Sequence, residues 1–411
     1  MRVVVVGSGG REHALAAVLG RGADVVVTPG NAGIPGSTDT PPEQLDADLY
    51  VIGPEAPLVD GLADRLRGAG RRVYGPGGDG ARLEGSKAWM KQLVAEARVP
   101  TARYGAFDAG QLEPALAFLG TLPPPFVVKT DGLAAGKGVL VTDSQREAED
   151  DVRSKLSGTS FGDAGRTVVI EEGLTGQELS ILAVCDGTRA VPLAPAQDFK
   201  RLRDGDDGPN TGGMGAYSPV PFAAEDLVGA VMDRFIEPTL FKLTKEGIDY
   251  RGTLYAGLML TAEGPKLLEY NVRFGDPEAQ VVLPRLDRET DLADLLAQAA
   301  DGHLWSDPRF VADAAVAVVV ASPGYPEAPQ MGAVIEGLDR LETDPSAQVF
   351  YAGVASNDAG ELVTAGGRVC AIVGHGPDLT TARTNAYAAV DHISFDGMQF
   401  REDIAKEVTT P

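Results

Sequence analysis

The stretch KLLEYNVRFGDPE, residues Lys266–Glu278, decides how the rest of this chain is interpreted. It has the pattern of a strand that runs into a polar loop broken by glycine. Side chains alternate between the two faces of a strand, so Glu269, Asn271 and Arg273 are predicted to share one face. The other face then carries apolar side chains, those of Leu268, Tyr270 and Val272.

The polar face of this predicted strand has two interpretations. A carboxylate and an amide oxygen suit Mg²⁺, which usually takes one or two protein ligands and completes its shell with phosphates and water. An arginine beside them suits a transferring phosphoryl group. A solvated strand face with a chance charge pair explains the same residues equally well, so the remaining sequence has to decide.

The composition is that of a globular chain without a nucleic-acid partner. Its 411 residues leave room for about three domains, and a net charge of -23 disfavours binding to a phosphate backbone. The longest clear apolar run, Ala314–Ala321, is far shorter than the ~18 residues that suggest a membrane span. No signal-peptide pattern follows Met1, so we expect a cytoplasmic protein without a membrane partner. Cys185 and Cys370 lack the spacing of a disulfide framework or a zinc site.

The first hundred residues alternate strand-like and helix-like segments, which predicts βαβ units and a parallel sheet. The expected strands are Arg2–Val6, Asp24–Thr28, Asp48–Ile52 and Arg72–Tyr74, and the expected helices include Glu12–Leu19 and Val59–Ala69. Ligands of such sheets bind beyond the carboxyl ends of the strands. Loops suited to that purpose follow the first three strands, at Gly7–His13, Pro29–Gly33 and Gly53–Leu58.

The first of these loops only partly fits a dinucleotide site. Gly7 and Gly9 match the G-x-G-x-x-G pattern, but Glu12 occupies the third glycine position, and the second strand ends at Thr28 instead of an acid. A phosphate-bearing small molecule held by backbone N–H groups is the favoured interpretation, with a dinucleotide as the weaker alternative. His13 is either a ligand contact or a structural side chain.

The segment Phe126–Val141 predicts two strands joined by a glycine-rich loop. The loop is not a Walker A motif, because its glycine spacing is one residue short and glycine follows Lys137. We interpret it as a hairpin that folds over a triphosphate, with Lys129 reaching from the strand and Lys137 from the tip. An ordinary flexible hairpin with solvated lysines remains the alternative. Upstream, Ser86 is a plausible N-cap for a helix that ends before Pro100.

Two further segments suggest ligand contacts. The strand-like Thr167–Glu172 ends in adjacent acids, and backbone groups of Glu171–Leu174 are candidates to read an adenine edge, with Glu178 accepting from ribose hydroxyls. The run Asp206–Pro219 is predicted to be an ordered loop, too rich in glycine for a helix or strand, whose N–H groups bind a carboxylate or phosphate. Polar residues precede that run, namely Gln197, Asp198, Lys200 and Arg201.

The remaining segments complete the predicted architecture. Thr253–Leu260 and the opening stretch flank a turn at Thr261–Pro265, which predicts a β-hairpin. After Trp305, strands at Ala314–Ala321 and Gly367–Val373 and a helix at Asp378–Val390 predict a smaller α+β domain without chemistry of its own.

The order of these motifs closely resembles the phosphoribosylamine–glycine ligase family, also called glycinamide ribonucleotide synthetases. The motifs are GSGGREHAL, PGNAG, GPEAPL, EGSKAWMK, KTDGLAAGKGV, FGDAG, IEEGLTGQE, GPNTGGMGAYSP and EYNVRFGDPE, and they cover nearly the whole chain. The resemblance implies an ATP-grasp ligase of de novo purine synthesis that joins glycine to 5-phosphoribosylamine through a glycyl phosphate. It also implies ATP and Mg²⁺ or Mn²⁺, and we expect a monomer.

The resemblance implies an α/β and α+β multidomain fold with three parts. Residues 1–100 would form a Rossmann-like domain on the phosphoribosylamine side, with a parallel sheet. Residues 101–305 would form the ATP-grasp domain, with a small mobile lid over about residues 105–175. Residues 306–411 would form the C-terminal α+β domain.

The resemblance also assigns roles to individual positions. The metal ligands would be Glu269 and Asn271, and the catalytic residues Arg273, Lys137 and Asp276. Nucleotide contacts would be Lys87, Lys129, Gly136, Lys137, Gly138, Glu171, Glu172, Leu174 and Glu178. Substrate contacts would be Gly9, Asn31, Glu55, Asp198, Lys200, Gly213, Met214, Gly215 and Arg273. The chain departs from the family pattern at Phe199, where many members carry histidine, so a role of that imidazole does not transfer.

Overall fold

The computed structural model describes residues 1–133, 138–158, 167–341 and 343–409. In that part of the chain no helix is both long and apolar enough to cross a membrane.

The N-terminal part forms the predicted parallel sheet. Its elements are β1 (Arg2–Gly7), α1 (Gly10–Leu19), β2 (Asp24–Pro29), β3 (Leu49–Ile52), α2 (Glu55–Val59), α3 (Leu62–Gly68), β4 (Val73–Tyr74), α4 (Gly78–Gly85) and α5 (Lys87–Glu96). The strand order is β2-β1-β3-β4, and every neighbouring pair is parallel. The apolar run Val3–Val6 is buried, as expected for a strand covered on both faces.

A second, antiparallel sheet has its own small core. Its elements are β5 (Tyr104–Asp108), α6 (Leu112–Leu119), β6 (Phe126–Thr130), β7 (Val139–Thr142), α7 (Gln145–Leu156) and β8 (Thr167–Glu172). The strand order is β5-β8-β6-β7. Val128 and Ile170 of this sheet belong to one apolar cluster with Ala115 of α6 and Val152 of α7. The predicted pairing of the two strands in Phe126–Val141 is confirmed, because β6 and β7 run antiparallel.

The third segment contains the opening stretch. Its elements are β9 (Gln177–Asp186), β10 (Ala190–Pro192), β11 (Gln197–Asp198), β12 (Arg201–Arg203), β13 (Asp207–Asn210), β14 (Gly215–Ser218), α8 (Glu225–Val231), α9 (Glu237–Lys245), β15 (Arg251–Thr261), β16 (Gly264–Asn271), α10 (Glu278–Val282) and α11 (Leu292–Asp301). The sheet order is β10-β9-β15-β16. The predicted hairpin is confirmed, since β15 and β16 pair antiparallel across the turn.

One detail of that hairpin was predicted wrongly. Strict alternation placed Leu268 on the apolar face, but the register shifts there: Gly257 faces Glu269, whereas Leu258 faces Leu267. Leu268 is therefore the extra residue of a β-bulge. As a result Leu267 enters the core, and Leu268 lines a large cavity beside Glu269.

The glycine-rich run Asp206–Pro219 was also predicted wrongly as lacking strands. It contains β13, which pairs with β12, and β14, which pairs with β11 on one side. Position 215 lies inside a sheet and requires a glycine, because close neighbours leave no room for a side chain. A Cβ there would lie 2.6 Å from Ile404 Cδ1 and 2.7 Å from the Ala317 carbonyl oxygen.

The last segment completes a sheet begun by the previous one. Its elements are β17 (Ala314–Ala321), α12 (Leu338–Leu341), β18 (Ala347–Tyr351), β19 (Val354–Ser356), β20 (Leu362–Thr364), β21 (Arg368–Gly376), α13 (Leu379–Val390) and α14 (Lys406–Thr409). The five-stranded order is β11-β14-β17-β21-β18. Residues on either side of position 305 thus share one sheet, which brings β21 toward the cavity.

Candidate active site

A cavity of about 1500 Å³ is lined by residues from all four segments. Fourteen of the predicted site residues lie on its wall: Glu55, Lys87, Lys129, Gly138, Glu171, Glu172, Leu174, Glu178, Asp198, Lys200, Glu269, Asn271, Arg273 and Asp276. They come from positions more than two hundred residues apart in the sequence. Two other predicted residues, Gly136 and Lys137, lie outside the described residues, as does the FGDAG turn.

Five predicted substrate contacts that the structure does describe are absent from the cavity wall: Gly9, Asn31, Gly213, Met214 and Gly215. The side-chain nitrogen of Asn31 donates to the carbonyl oxygens of Ser8 at 2.8 Å and Ala352 at 2.9 Å. Gly213 packs so closely on Pro277 that a Cβ would lie 2.5 Å from its Cδ. Gly9 stays near the site, since a Cβ on it would be 3.6 Å from Asp276 Oδ2.

The candidate metal face lies at the end of β16, as the sequence predicted. Burial opposes the charge of Glu269, but the ammonium groups of Lys200, Lys129 and Lys87 outweigh it and hold the pKa of that carboxyl below its usual value. Among the described residues Glu269 accepts no hydrogen bond, so its carboxylate is available for a ligand. The Asn271 amide oxygen lies 3.4 Å from the Arg273 guanidinium.

The donor set fits a hard divalent cation that shares its shell with phosphate. The described part of the chain holds no cluster of three or more His, Cys, Asp or Glu side chains suited to a metal. An all-protein cage is therefore lacking there, whereas one carboxylate and one amide oxygen match the few protein ligands that Mg²⁺ takes beside a nucleotide.

Arg273 is held at the cavity wall by two acids from the N-terminal part. Its guanidinium nitrogens lie 2.8 Å from Glu84 Oε1 and 3.3 Å from Glu55 Oε2. Burial alone would lower the pKa of Arg273, but these two carboxylates raise it, so the side chain stays charged. A fixed guanidinium beside the metal face is suited to an anionic ligand.

Two lysines face the same region from different elements. Lys87 begins α5, whose N-cap Ser86 accepts a hydrogen bond from the Trp89 N–H group at 3.2 Å. Its Nζ donates to the Gly132 carbonyl oxygen at 2.9 Å, and burial lowers its pKa. Lys129 extends from β6, with its Nζ 3.4 Å from the Leu268 carbonyl oxygen and 3.0 Å from Glu171 Oε1. Together they place positive charge opposite Glu269.

An acidic group lies deeper in the wall. Lys200 donates to Glu178 Oε2 at 2.6 Å and lies farther from Asp198 Oδ1, at 3.8 Å. Burial raises the pKa of Asp198 to about 8, although Lys200 opposes this effect. Within the described chain Asp198 Oδ1 has no hydrogen-bond partner. Burial therefore favours the protonated form of Asp198, whereas the ammonium group of Lys200 favours the charged form.

Sequence reasoning missed Arg368, which β21 contributes from the C-terminal segment. Its guanidinium lies 3.0 Å from Asp276 Oδ2 and donates to the carbonyl oxygens of Asp276 at 2.8 Å and Gly212 at 2.5 Å. Nothing in the sequence around Arg368 distinguishes it from an ordinary arginine at the end of a strand. Glu84 was also missed, although it is the first residue of the EGSKAWMK motif and lies just before α5, the helix that begins at Lys87.

Three family models match the chain. The description phosphoribosylglycinamide synthetase covers all three: its N domain matches residues 1–84, its ATP-grasp (A) domain residues 85–279 and its C domain residues 315–407. Together they span most of the sequence.

Relatives and a solved structure agree with the family models. The chain is 46% identical to the phosphoribosylamine–glycine ligase of Xanthomonas axonopodis pv. citri, covering 98% of this chain and 97% of the relative. It is 48% identical to that of Streptomyces coelicolor, covering 98% and 99%. The crystal structure of the Thermotoga maritima ligase superposes with a TM-score of 0.87 at 38% identity, covering 98% of this chain and all of that one. These findings confirm the resemblance, and the chain belongs to the phosphoribosylamine–glycine ligase family of ATP-grasp enzymes.

Proposed function

We propose that this chain joins glycine to 5-phosphoribosylamine, converting ATP to ADP and phosphate, and that the cavity described above is where it does so. The observation that carries this proposal is the convergence of Lys87, Lys129 and Arg273 on the face of Glu269 and Asn271, in a chain of this family. Three cations around an oxygen-donor pair suit a triphosphate better than a neutral ligand.

The first chemical step is activation of glycine, because a carboxylate is a poor electrophile. A carboxylate oxygen of glycine forms a bond to the γ-phosphorus, and the bond from that phosphorus to the bridging oxygen of ADP breaks. We assign to Arg273 and Lys129 the role of offsetting charge on the transferring group, which their place on the cavity wall supports. We assign the same role to Lys137, which lies outside the described residues.

The second step forms the amide. The amine nitrogen of phosphoribosylamine forms a bond to the glycyl carbonyl carbon, phosphate leaves, and the nitrogen loses a proton. Glu269 and Asn271 would hold a divalent cation, Mg²⁺ or Mn²⁺, which neutralises phosphate charge when bound. The protein itself contributes alignment and fixed charge, without a covalent intermediate on a side chain.

The proposed contacts divide into those with the two substrates and those with the nucleotide. We propose that Glu55, Asp198, Lys200 and Asp276, which line the cavity, contact the substrates directly. Glu171, Glu172, Leu174 and Glu178, with Gly136 and Gly138, are assigned to the nucleotide. We also propose a substrate role for Gly9, Asn31 and Gly213–Gly215, which lie outside the cavity wall and would act through their loops.

The wider properties of the molecule belong to the same proposal. We propose that it works as a cytoplasmic monomer that binds no nucleic acid, in keeping with its net charge of -23. We further propose a division into domains at residues 1–100, 101–305 and 306–411, with a lid over about 105–175. The separate core of the sheet β5-β8-β6-β7 supports the lid.

ADP formation with each substrate left out tests this proposal. With Mg²⁺ present, we expect ADP to form only when both glycine and freshly made phosphoribosylamine are added, beyond any slow background. Dependence on a different acid or amine would indicate a related ATP-grasp ligase. Nucleotide binding without turnover would indicate a regulatory nucleotide-binding protein, and either result would contradict the proposal.

The acyl phosphate has a separate test. When the glycine carboxylate carries ¹⁸O, one labelled oxygen should appear in the released phosphate, because the glycyl oxygen bonded to phosphorus leaves with it. Unlabelled phosphate would exclude the glycyl phosphate route while leaving the overall reaction intact.

A further inference from the structure

A buried ion cluster connects helix α5 to the cavity wall. Lys91 of α5 is fully buried, and its Nζ donates to Glu171 Oε2 at 2.7 Å. The other carboxylate oxygen of Glu171, Oε1, lies 3.0 Å from Lys129 Nζ. We call these three residues, Lys91, Glu171 and Lys129, the lysine–glutamate triad. Glu171 and Lys129 line the cavity, whereas Lys91 lies behind them.

The secondary structure builds this cluster from three elements. On the antiparallel strands β6 and β8, Lys129 faces Val169, and Val127 faces Glu171. Lys129 and Glu171 are therefore diagonal neighbours on one face of the sheet, within reach of each other. Helix α5 packs on that face and contributes Lys91, which reaches Glu171 from the side away from the cavity.

Lys91 has further contacts besides the one with the Glu171 carboxylate. Its Nζ also donates to Thr101 Oγ1 at 2.8 Å and lies 5.9 Å from the centre of the Tyr104 ring. The Thr101 hydroxyl in turn donates to the Leu267 carbonyl oxygen at 2.7 Å, on the strand that carries Glu269. The position of Lys91 is thus set by both sheets that border the cavity.

The two lysines bind Glu171 unequally. Lys91 makes an aligned hydrogen bond to one oxygen, but Oε1, next to Lys129, accepts no aligned hydrogen bond from the described residues. Lys129 therefore approaches Glu171 as a contact ion without committing a well-directed N–H group to it. The triad carries two positive charges and one negative charge, so a net charge of one is left on the cavity side.

We infer that Lys91 is a positioning residue for the nucleotide: by holding Glu171 from behind, it prevents that carboxylate from neutralising Lys129. Without Lys91, Glu171 and Lys129 would form a neutral pair, and this part of the cavity wall would present a weak dipole to the phosphates instead of a net charge. Lys91 never touches the ligand. The inference rests on the proposed function only in that the cavity binds ATP.

Equilibrium binding of MgATP to Lys91→Met tests this inference. We expect the dissociation constant to rise about 10-fold, the scale of one charge acting across a partly screened site. In the Glu171→Gln background, which lacks the carboxylate that Lys91 holds, adding Lys91→Met should change the dissociation constant by less than about 3-fold. In steady-state kinetics, Lys91→Met should raise KM for ATP and leave KM for glycine unchanged.

The control replaces a lysine that forms an ion pair with the opposite end of helix α5. Lys242 of α9 is ion-paired with Glu96 of α5 at 2.6 Å, outside the cavity wall, and Lys242→Met should leave ATP binding unchanged. Wild-type ATP affinity in Lys91→Met, or a loss of affinity on adding Lys91→Met to Glu171→Gln as large as the loss in the wild-type background, overturns the inference. Should Lys91→Met not fold, Lys91→Gln takes its place in both backgrounds, with the same expected results and the same outcome against the inference.

A wild-type protein that turns over ATP with both substrates separates this failure from failure of the proposed function. If wild type is active and Lys91→Met binds ATP as tightly as wild type does, only the role of Lys91 is wrong. If wild type binds no ATP, the proposed function itself is wrong.

Discussion

Glu269 is the residue on which the candidate metal site depends most directly. Its carboxylate is surrounded by Lys87, Lys129, Lys200 and Arg273, which hold its pKa low against burial, so it is charged at any pH near neutrality. A charged oxygen donor next to the Asn271 amide oxygen is what a hard cation needs. The same charge also balances the surrounding cations when no nucleotide is bound.

Replacing Glu269 by Gln should weaken the metal dependence of turnover with little change in fold. Gln keeps the shape but loses the charge, so the Mg²⁺ concentration for half-maximal ADP formation should rise at least about 10-fold, the loss typical even of residues that only support a ligand. Glu263→Gln is the matched control, since Glu263 lies on the same hairpin and is exposed, paired with Lys266. Identical Mg²⁺ titrations for wild type and Glu269→Gln would remove the metal assignment.

Individual residues also show where sequence reasoning ends. Glu269, Asn271 and Arg273 could be predicted, because they are close in sequence and share a strand pattern. Arg368 could not, because it meets Asp276 only through a sheet that joins distant segments. Asn31 remains a predicted substrate contact. Its side-chain amide donates to the backbone of Ser8 and Ala352, and a position in a loop does not by itself predict such contacts.

Helix α5 is the element that joins the wall of the cavity to the buried lysine–glutamate triad. It carries Lys87 at its first turn and Lys91 one turn later, and its N-cap Ser86 also donates to Asp131 Oδ2 at 3.1 Å. The start of α5 is therefore fixed both to its own backbone and to the loop after β6.

Ser86→Ala should destabilise this helix start by about 1 kcal/mol, the usual effect of losing an N-cap, and should raise KM for ATP by about 3-fold because Lys87 is held less firmly. Ser144→Ala is the comparison: Ser144 caps α7, accepting from the Glu147 N–H group at 3.3 Å, away from the cavity. Urea unfolding and steady-state kinetics check both variants. Equal effects on KM would argue against a specific role for the α5 cap.

At the scale of elements, most strands and helices followed from periodicity and caps, including the hairpin β15–β16 and the cap at Ser86. Strand β14 was missed because its partner β17 lies far along the chain and overrides local preference. The bulge at Leu268 and strand β13 have partners close in sequence, but no local pattern marks a register shift or a glycine-rich strand. Gly215 sits inside a sheet because Ile404 and Ala317 crowd it, a fact that no local pattern contains.

At the scale of the whole molecule, His13 connects the first helix to the last segment. Its Nδ1 accepts a hydrogen bond from the Tyr351 N–H group at 2.9 Å, and its ring stacks on Tyr351 at 5.6 Å between centroids. His13 does not line the cavity among the described residues. The sequence left it open as a ligand contact or a structural group, and the contacts favour the structural role.

This contact should make the stability of the molecule depend on pH. Burial lowers the pKa of His13 from 6.5 to about 4, so in the unfolded chain it takes up a proton at a higher pH than in the folded one. The stabilisation is complete above pH 6.5 and is lost as the pH falls toward 4, by about 2 kcal/mol at pH 5. Urea unfolding at pH 7 and pH 5 measures it.

His13→Asn is the control for that measurement, because its amide oxygen can replace Nδ1 as an acceptor but does not titrate. The loss of unfolding free energy between pH 7 and pH 5 should be smaller in this variant by about the same 2 kcal/mol. Carboxylates and His375 titrate alike in both proteins, so the difference isolates His13. Equal losses in the two proteins would be incompatible with a buried neutral His13.

The five-stranded sheet has a consequence for the order of events during synthesis. Strand β17 lies between β14 and β21, so β14 has no partner on that side until residues near 321 have left the ribosome, and β17 is covered on its other side only after residue 376. Arg368, which fixes Asp276, arrives in the same late stretch. A nascent chain that already contains the whole candidate metal face therefore still lacks Arg368, and it must keep an open strand edge protected until residue 376 has been made.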